Sequence, residues 1–239
     1  MILFLSSLLR AYPAWLENPY HEINTEETLI CTLAQQNLSD PAGIVYDDDA
    51  PRISAIVAEA QSVRLSLEYI HGQMDLHSDA NRFLSYLGQN LGYMQRDFWL
   101  YEGKNAKSFI RACFHKDSPL AKPPTQSVNA TLKEGVPPKT TTCSVVRYNF
   151  YSDLRNDLKD YPPAYLTPLL RGIESRALQD SMVYAYIQNM QKSPPSLYTL
   201  RDLSNHIRDL HSKSSVAFYY RFQRKDEIPV VLSVSLCLP

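Results

Sequence analysis

Side chains able to act as nucleophiles or metal ligands are few and scattered in this chain. Its four cysteines, Cys31, Cys113, Cys143 and Cys237, never form a Cys-x-x-Cys pair, so neither a zinc ribbon nor a thioredoxin-type redox site is indicated. A catalytic cysteine needs a stabilised thiolate, at a helix N-terminus or beside a histidine, and a base oriented by a third polar group. Cys31 falls in the third turn of an expected helix, beyond strong influence of the N-terminal dipole. Cys113 follows Phe109 and Ile110 on an apolar face. Cys143 opens an expected strand beside a long loop and has a route to solvent. A hydrolase or transferase site assembled from separated segments would therefore draw on Cys143, His206 and His211 as its candidate catalytic residues. The two histidines lie five positions apart on an expected helix, which rotates them away from one another and lacks the i, i+4 spacing of a helical zinc pair. His71 and Asp75 do have that spacing, with His77 and Asp79 following. Gly72 and the expected interhelical turn spoil its geometry. The acidic run at 47–49 lacks the alternating oxygen ligands and turn glycine of a calcium loop. No metal site and no cofactor is expected.

Two other patterns point to binding. Pro162-Pro163-Ala164-Tyr165 resembles the short ligands of WW domains, in which a polyproline II segment fits an aromatic groove and the tyrosine anchors it. The competing structural role is that both prolines end one element before Tyr165 docks in the core. Tyr219, Arg221 and Gln223 alternate along an expected strand and should share an outward face with Ser233 and Ser235. Tyrosine and arginine are enriched at interface hot spots. Asn129-Ala130-Thr131 matches the N-glycosylation acceptor pattern, which matters only in an exported protein.

Apolar periodicity gives the helices and strands on which these residues lie. A capping-box pattern at Asn24 and Glu27 opens a helix over 24–38. Ile53, Ile56, Val57, Ala60, Val63, Leu67 and Ile70 recur at three- and four-residue intervals and predict an amphipathic helix. A second helix is expected over 79–98 and a shorter one over 104–114. Five prolines and few large apolar residues make 118–140 a connection unable to sustain a helix or a central strand. A strand over 141–151 follows, then helices over 168–191 and 199–211. Val216, Phe218, Tyr220 and Phe222 then alternate, a polar turn intervenes at 224–227, and Ile228, Val230, Leu232, Val234, Leu236 and Leu238 alternate on the return, a β-hairpin.

The fold class is thus α+β, with a mainly helical N-terminal half and helices packed on a small antiparallel sheet that ends in the hairpin. In domain terms this is a helical lobe at 1–117, the Pro-rich connection at 118–140 and an α+β lobe at 141–239, or all of these as one integrated domain. A 44% hydrophobic and 21% charged composition suits a globular chain rather than a disordered one or a coiled coil. Only 7 glycines stand against 16 prolines, which disfavours phosphate-cradling Gly-rich loops and nucleophile elbows. With 24 Lys plus Arg against 25 Asp plus Glu, no bulk field draws in nucleic acid or an anionic membrane. Residues 1–9 resemble a signal-peptide core but lack a preceding basic residue and a clear cleavage site, so a docked helix is expected there and export is the alternative. The run is too short to span a membrane. The resulting expectation is a cytoplasmic, non-enzymatic protein-binding or adaptor protein, with reduced cysteines and a protein partner.

Overall fold

The computed structural model describes residues 29–37, 50–72, 76–89, 95–101, 107–118, 120, 122–125, 127–139, 141–150, 162–191 and 199–239. The N-terminal run, the acidic residues 47–49 and Asp75 lie outside them. Among the described residues are the strands β1 (Leu29–Asn37), β2 (Gln95–Tyr101), β3 (Lys107–His115), β4 (Ala130–Glu134), β5 (Thr142–Asn149), β6 (Val216–Lys225) and β7 (Ile228–Leu238). The helices are α1 (Ala50–His71), α2 (Leu76–Leu87), α3 (Pro163–Gln191) and α4 (Leu200–Lys213). Two sheets form, one in the order β1-β3-β2 and the other β4-β6-β7-β5. The protein is α+β, and its last two strands make the expected hairpin.

The layering follows from which faces are apolar. Helix α1 packs on β1 and β3, α3 packs on β5 and β7, and α1 and α3 touch each other, so the helices lie between two sheets. A helix in that position needs apolar contact on more than one side. Accordingly, α1 buries nearly every residue from Ile53 to Leu67. One hydrophobic cluster runs from Ala34 on β1, through Val57, Leu84 and Tyr186, to Phe218 and Leu236 on the hairpin.

Several polar groups caught in the helical layer are paired. Gln61 Nε2 donates to Asp180 Oδ2 at 3.0 Å, Arg64 meets Glu68 at 3.1 Å, and Arg176 stands 3.8 Å from the same carboxylate. Burial still pushes the Asp180 carboxyl above its ordinary value, against the opposing pull of Arg64.

Three expected helices in the first half are replaced wholly or partly by strands. Residues 29–37 are β1, paired antiparallel with β3 in the register Leu29 to His115. Residues 107–115, read as helical, are β3 itself. Ile110, Ala112 and Phe114 turn inward and are buried, while Cys113 on the opposite face is buried as well. That double burial produced an apolar spacing compatible with either period. The expected helix over 79–98 ends at Leu87, and β2 begins at Gln95. Gly88 closes α2 where Val128 approaches, and a Cβ there would sit 3.3 Å from Val128 Cγ2. The Pro-rich connection contains β4, which pairs parallel with β6 at the sheet edge. The strand itself contains no proline, and Pro137 and Pro138 follow it.

Elsewhere the expected elements form. Thr199 caps α4 by accepting from Asp202 N at 3.2 Å. Val146 and Phe150 are buried on the inner side of β5. The hairpin closes through Asp226 and Glu227, both at positive φ (50° and 65°), as a two-residue turn matched to the strand twist requires.

Candidate functional site

The alternation that buries Val216, Phe218, Tyr220, Leu232, Val234 and Leu236 against the helices sends the intervening side chains to the other face of the four-stranded sheet. The pairing places these in rows across the strands. Tyr219 is opposite Ser235, which is opposite Val145; Arg221 is opposite Ser233, which is opposite Arg147; Gln223 is opposite Val231, which is opposite Asn149. Lys133 on β4 extends the first row beside Tyr219. The expected grouping of Tyr219 and Arg221 with Ser235 and Ser233 is thus a set of direct cross-strand neighbours.

The charge on this face is one-sided. Lys133, Arg147 and Arg221 are exposed on it, and no carboxylate among the described strand residues turns the same way. Glu134 alternates to the inner side. Lys133 Nζ stands 5.9 Å from the centroid of the Tyr219 ring, within cation–π range. Val145, 47% exposed, adds an apolar edge. Lys133, Val145 and Arg147 were not singled out in the sequence. The alternation of β5 implied that 145 and 147 face outward, but only the tertiary pairing of β5 with β7 sets them beside Ser235 and Ser233.

The same face carries a disulfide. Cys143 and Cys237 are direct antiparallel partners, joined with Cα atoms 4.2 Å apart, and Cys31 and Cys113 form the equivalent bond in the other sheet with 4.0 Å between Cα atoms. All four cysteines are paired, and none is free. Cys143 therefore has no thiol to serve as a nucleophile, and the expectation of reduced cysteines is corrected.

His206 and His211 are each held by a helical neighbour. His206 Nε2 lies 3.1 Å from Asn189 Oδ1, and burial pushes its pKa down to about 4. The Nδ1–H of His211 donates to the carbonyl of Asn129 at 3.0 Å, which leaves Nε2 to accept from the buried Tyr186 hydroxyl at 2.6 Å. Burial lowers its pKa also. With both ring nitrogens engaged, His211 ties α3 and α4 to the residue that precedes β4 rather than offering a free base. An open groove of about 620 Å³ lies beside it, lined by Ser127, Val128, Asn205, Arg208, Asp209 and Ser212.

Pro162 precedes α3, and Pro163 through Tyr165 form its first turn, with Tyr165 N donating to the Pro162 carbonyl at 2.9 Å. This is helix, so the extended polyproline II form that a WW groove accepts is absent here. Tyr165 is 67% exposed and does not dock in the core either. Among the described residues, no group of three His, Cys, Asp or Glu side chains gathers to hold a metal ion, and no helix is long and apolar enough to cross a membrane. No family model, no curated protein and no solved structure matches this chain.

Proposed function

We propose that this chain is a non-enzymatic protein-binding or adaptor protein that engages its partner through the outer face of the four-stranded sheet. The observation that carries this reading is the row arrangement on that face, where exposed cations and a tyrosine flank small hydroxyl side chains on a sheet whose other side is anchored to α3. A rigid sheet presents such groups at little entropic cost on binding. The aromatic and arginine content also suits an interface anchor. The hydrolase or transferase alternative built on Cys143, His206 and His211 is disfavoured, because the sulfur is in a disulfide and the histidines are held by Asn189, Tyr186 and Asn129.

The two disulfides support an oxidising compartment as the working environment, in place of the cytoplasm. The test is affinity capture from extract of the protein's own source, comparing the native chain with Tyr219→Ala/Arg221→Ala. The expected result is a stoichiometric partner retained by the native chain and lost by the variant, with both chains showing the same thermal unfolding. Equal retention by the variant would remove this face from the account.

A further inference from the structure

The outward side chains of β7 from Ser233 onward are small, namely Ser233, Ser235 and the half-cystine Cys237, with Val231 preceding them. Beside Ser233 and Ser235 stand larger side chains, Tyr219 and Arg221 on β6 and Val145 and Arg147 on β5. The face is therefore a shallow trough floored by β7 and walled by its two neighbours. Ser235 and Cys237 are buried in that floor, whereas Arg147 and Arg221 stand exposed above it. One row crosses the trough as Arg221, Ser233, Arg147. The register thus sets two exposed arginines on either side of Ser233, their Cα atoms about 9.6 Å apart at two strand spacings. Like charges so placed repel, and an anion between them relieves the repulsion while accepting hydrogen bonds from both.

Resting on the reading of this face as a binding surface, we infer that the trough takes an extended acidic peptide segment, with one carboxylate seated between Arg147 and Arg221 over Ser233. The next row, Tyr219 and Val145 about Ser235, then receives an apolar or aromatic side chain of the same segment, and Lys133 a second carboxylate. The charge pattern supports this occupant because three cations share the face with no opposing carboxylate among its described strand residues. Single-stranded nucleic acid fits less well. It is held by successive aromatic platforms, whereas the described strand residues of this face offer one ring, with Lys133 already over it, on a chain with 24 basic and 25 acidic residues.

The test is fluorescence anisotropy of a labelled short poly-glutamate peptide with one central tyrosine, titrated with the native disulfide-bonded chain. Arg147→Gln, Arg221→Gln, the double variant and the control Arg208→Gln on α4 are compared with it. The peptide should bind and release as salt rises. Each glutamine on the trough should weaken binding about tenfold, as expected for the loss of a charged hydrogen bond, while Arg208→Gln leaves it unchanged. Unfolding temperatures equal to the parent's will establish that the variants are folded. Absence of peptide binding, insensitivity to the double substitution, or tighter binding of an oligothymidylate of equal charge would each overturn the acidic-peptide occupant. If the occupant fails but partner capture still depends on Tyr219 and Arg221, the binding face itself stands; if both fail, the face falls with it.

Discussion

Removing the Cys143–Cys237 bond should cost this protein a large part of its folding stability. The two disulfides close loops that do not overlap, with sequence separations of 82 and 94 residues, so their effects on the unfolded chain are nearly independent. In the chain-entropy account a loop of that length is worth about 4.5 kcal/mol, and measured losses for native disulfides run about 2–5 kcal/mol. Against a typical total of about 5–15 kcal/mol, losing both bonds brings the protein close to unfolding. The direct perturbation is Cys143→Ala/Cys237→Ala, followed by urea unfolding. With a slope of about 1–3 kcal/mol/M, the midpoint should fall by roughly 1–3 M. Reduction of the native chain should lower it further, because Cys31–Cys113 is then lost too. Intact mass under non-reducing conditions should show four hydrogens fewer than the fully reduced chain, and peptide mapping should recover the 31–113 and 143–237 pairs. Four alkylatable thiols in the freshly purified protein, or a midpoint unmoved by reduction, would mean that the cysteines are unpaired and return the protein to a reducing compartment.

Other consequences concern charge and backbone. In the unfolded chain His206 and His211 take up protons near pH 6.5, but burial lowers both in the fold, His206 to about 4. The unfolded state binds more protons in that window, so stability is intact above about pH 6.5 and is lost as pH falls toward 4. His206→Gln should flatten this part of a urea-midpoint profile, and a profile parallel to the parent's would contradict the assignment. Asp180 has the opposite sign: its carboxyl is raised from 3.8 by burial, so its contribution is fully present below that pH and lost as pH rises through the raised value. Asp180→Asn keeps an acceptor for Gln61 and should raise the melting temperature at pH 7 while changing little at pH 3.5; a lower melting temperature at pH 7 would show that pairing with Arg64 outweighs burial. Glu227 sits at φ 65° in the hairpin turn, where a non-glycine residue costs about 1–2 kcal/mol and glycine returns roughly 0.5–1 kcal/mol of that as chain entropy. Glu227→Gly should therefore stabilise by about 1 kcal/mol or less in chemical denaturation.

The C-terminal third was legible because its pattern is unambiguous. Val216, Phe218, Tyr220 and Phe222 alternate with more polar neighbours on a sheet with one face on the helices, the condition under which period two is clean. The outward placement of Tyr219, Arg221 and Gln223 followed from the same alternation. The first sheet was not legible, because Phe109, Ile110, Cys113 and Phe114 satisfy a helical stripe as well as they do a strand buried on one side by α1 and on the other by a disulfide. The disulfide pairing was hidden for a related reason: it depends on which strands become neighbours, and loops of 82 and 94 residues carry no local trace of that. Arg147 and Lys133 were missed because β5 and β4 reach the hairpin only through tertiary pairing, one beyond β7 and the other out of the Pro-rich connection. The WW-ligand pattern at Pro162 illustrates the converse, since proline in the first turn of a helix is as well placed as in an extended segment.

Backbone-amide chemical-shift mapping of the native chain during titration with the acidic peptide locates the binding surface residue by residue. The shifts should concentrate at Lys133, Val145, Arg147, Tyr219, Arg221 and Ser233, on the outer face of the four-stranded sheet. Shifts gathered instead at Val128, Asn205, Arg208 and Ser212 would place the working surface in the groove beside His211 and contradict binding at the sheet face.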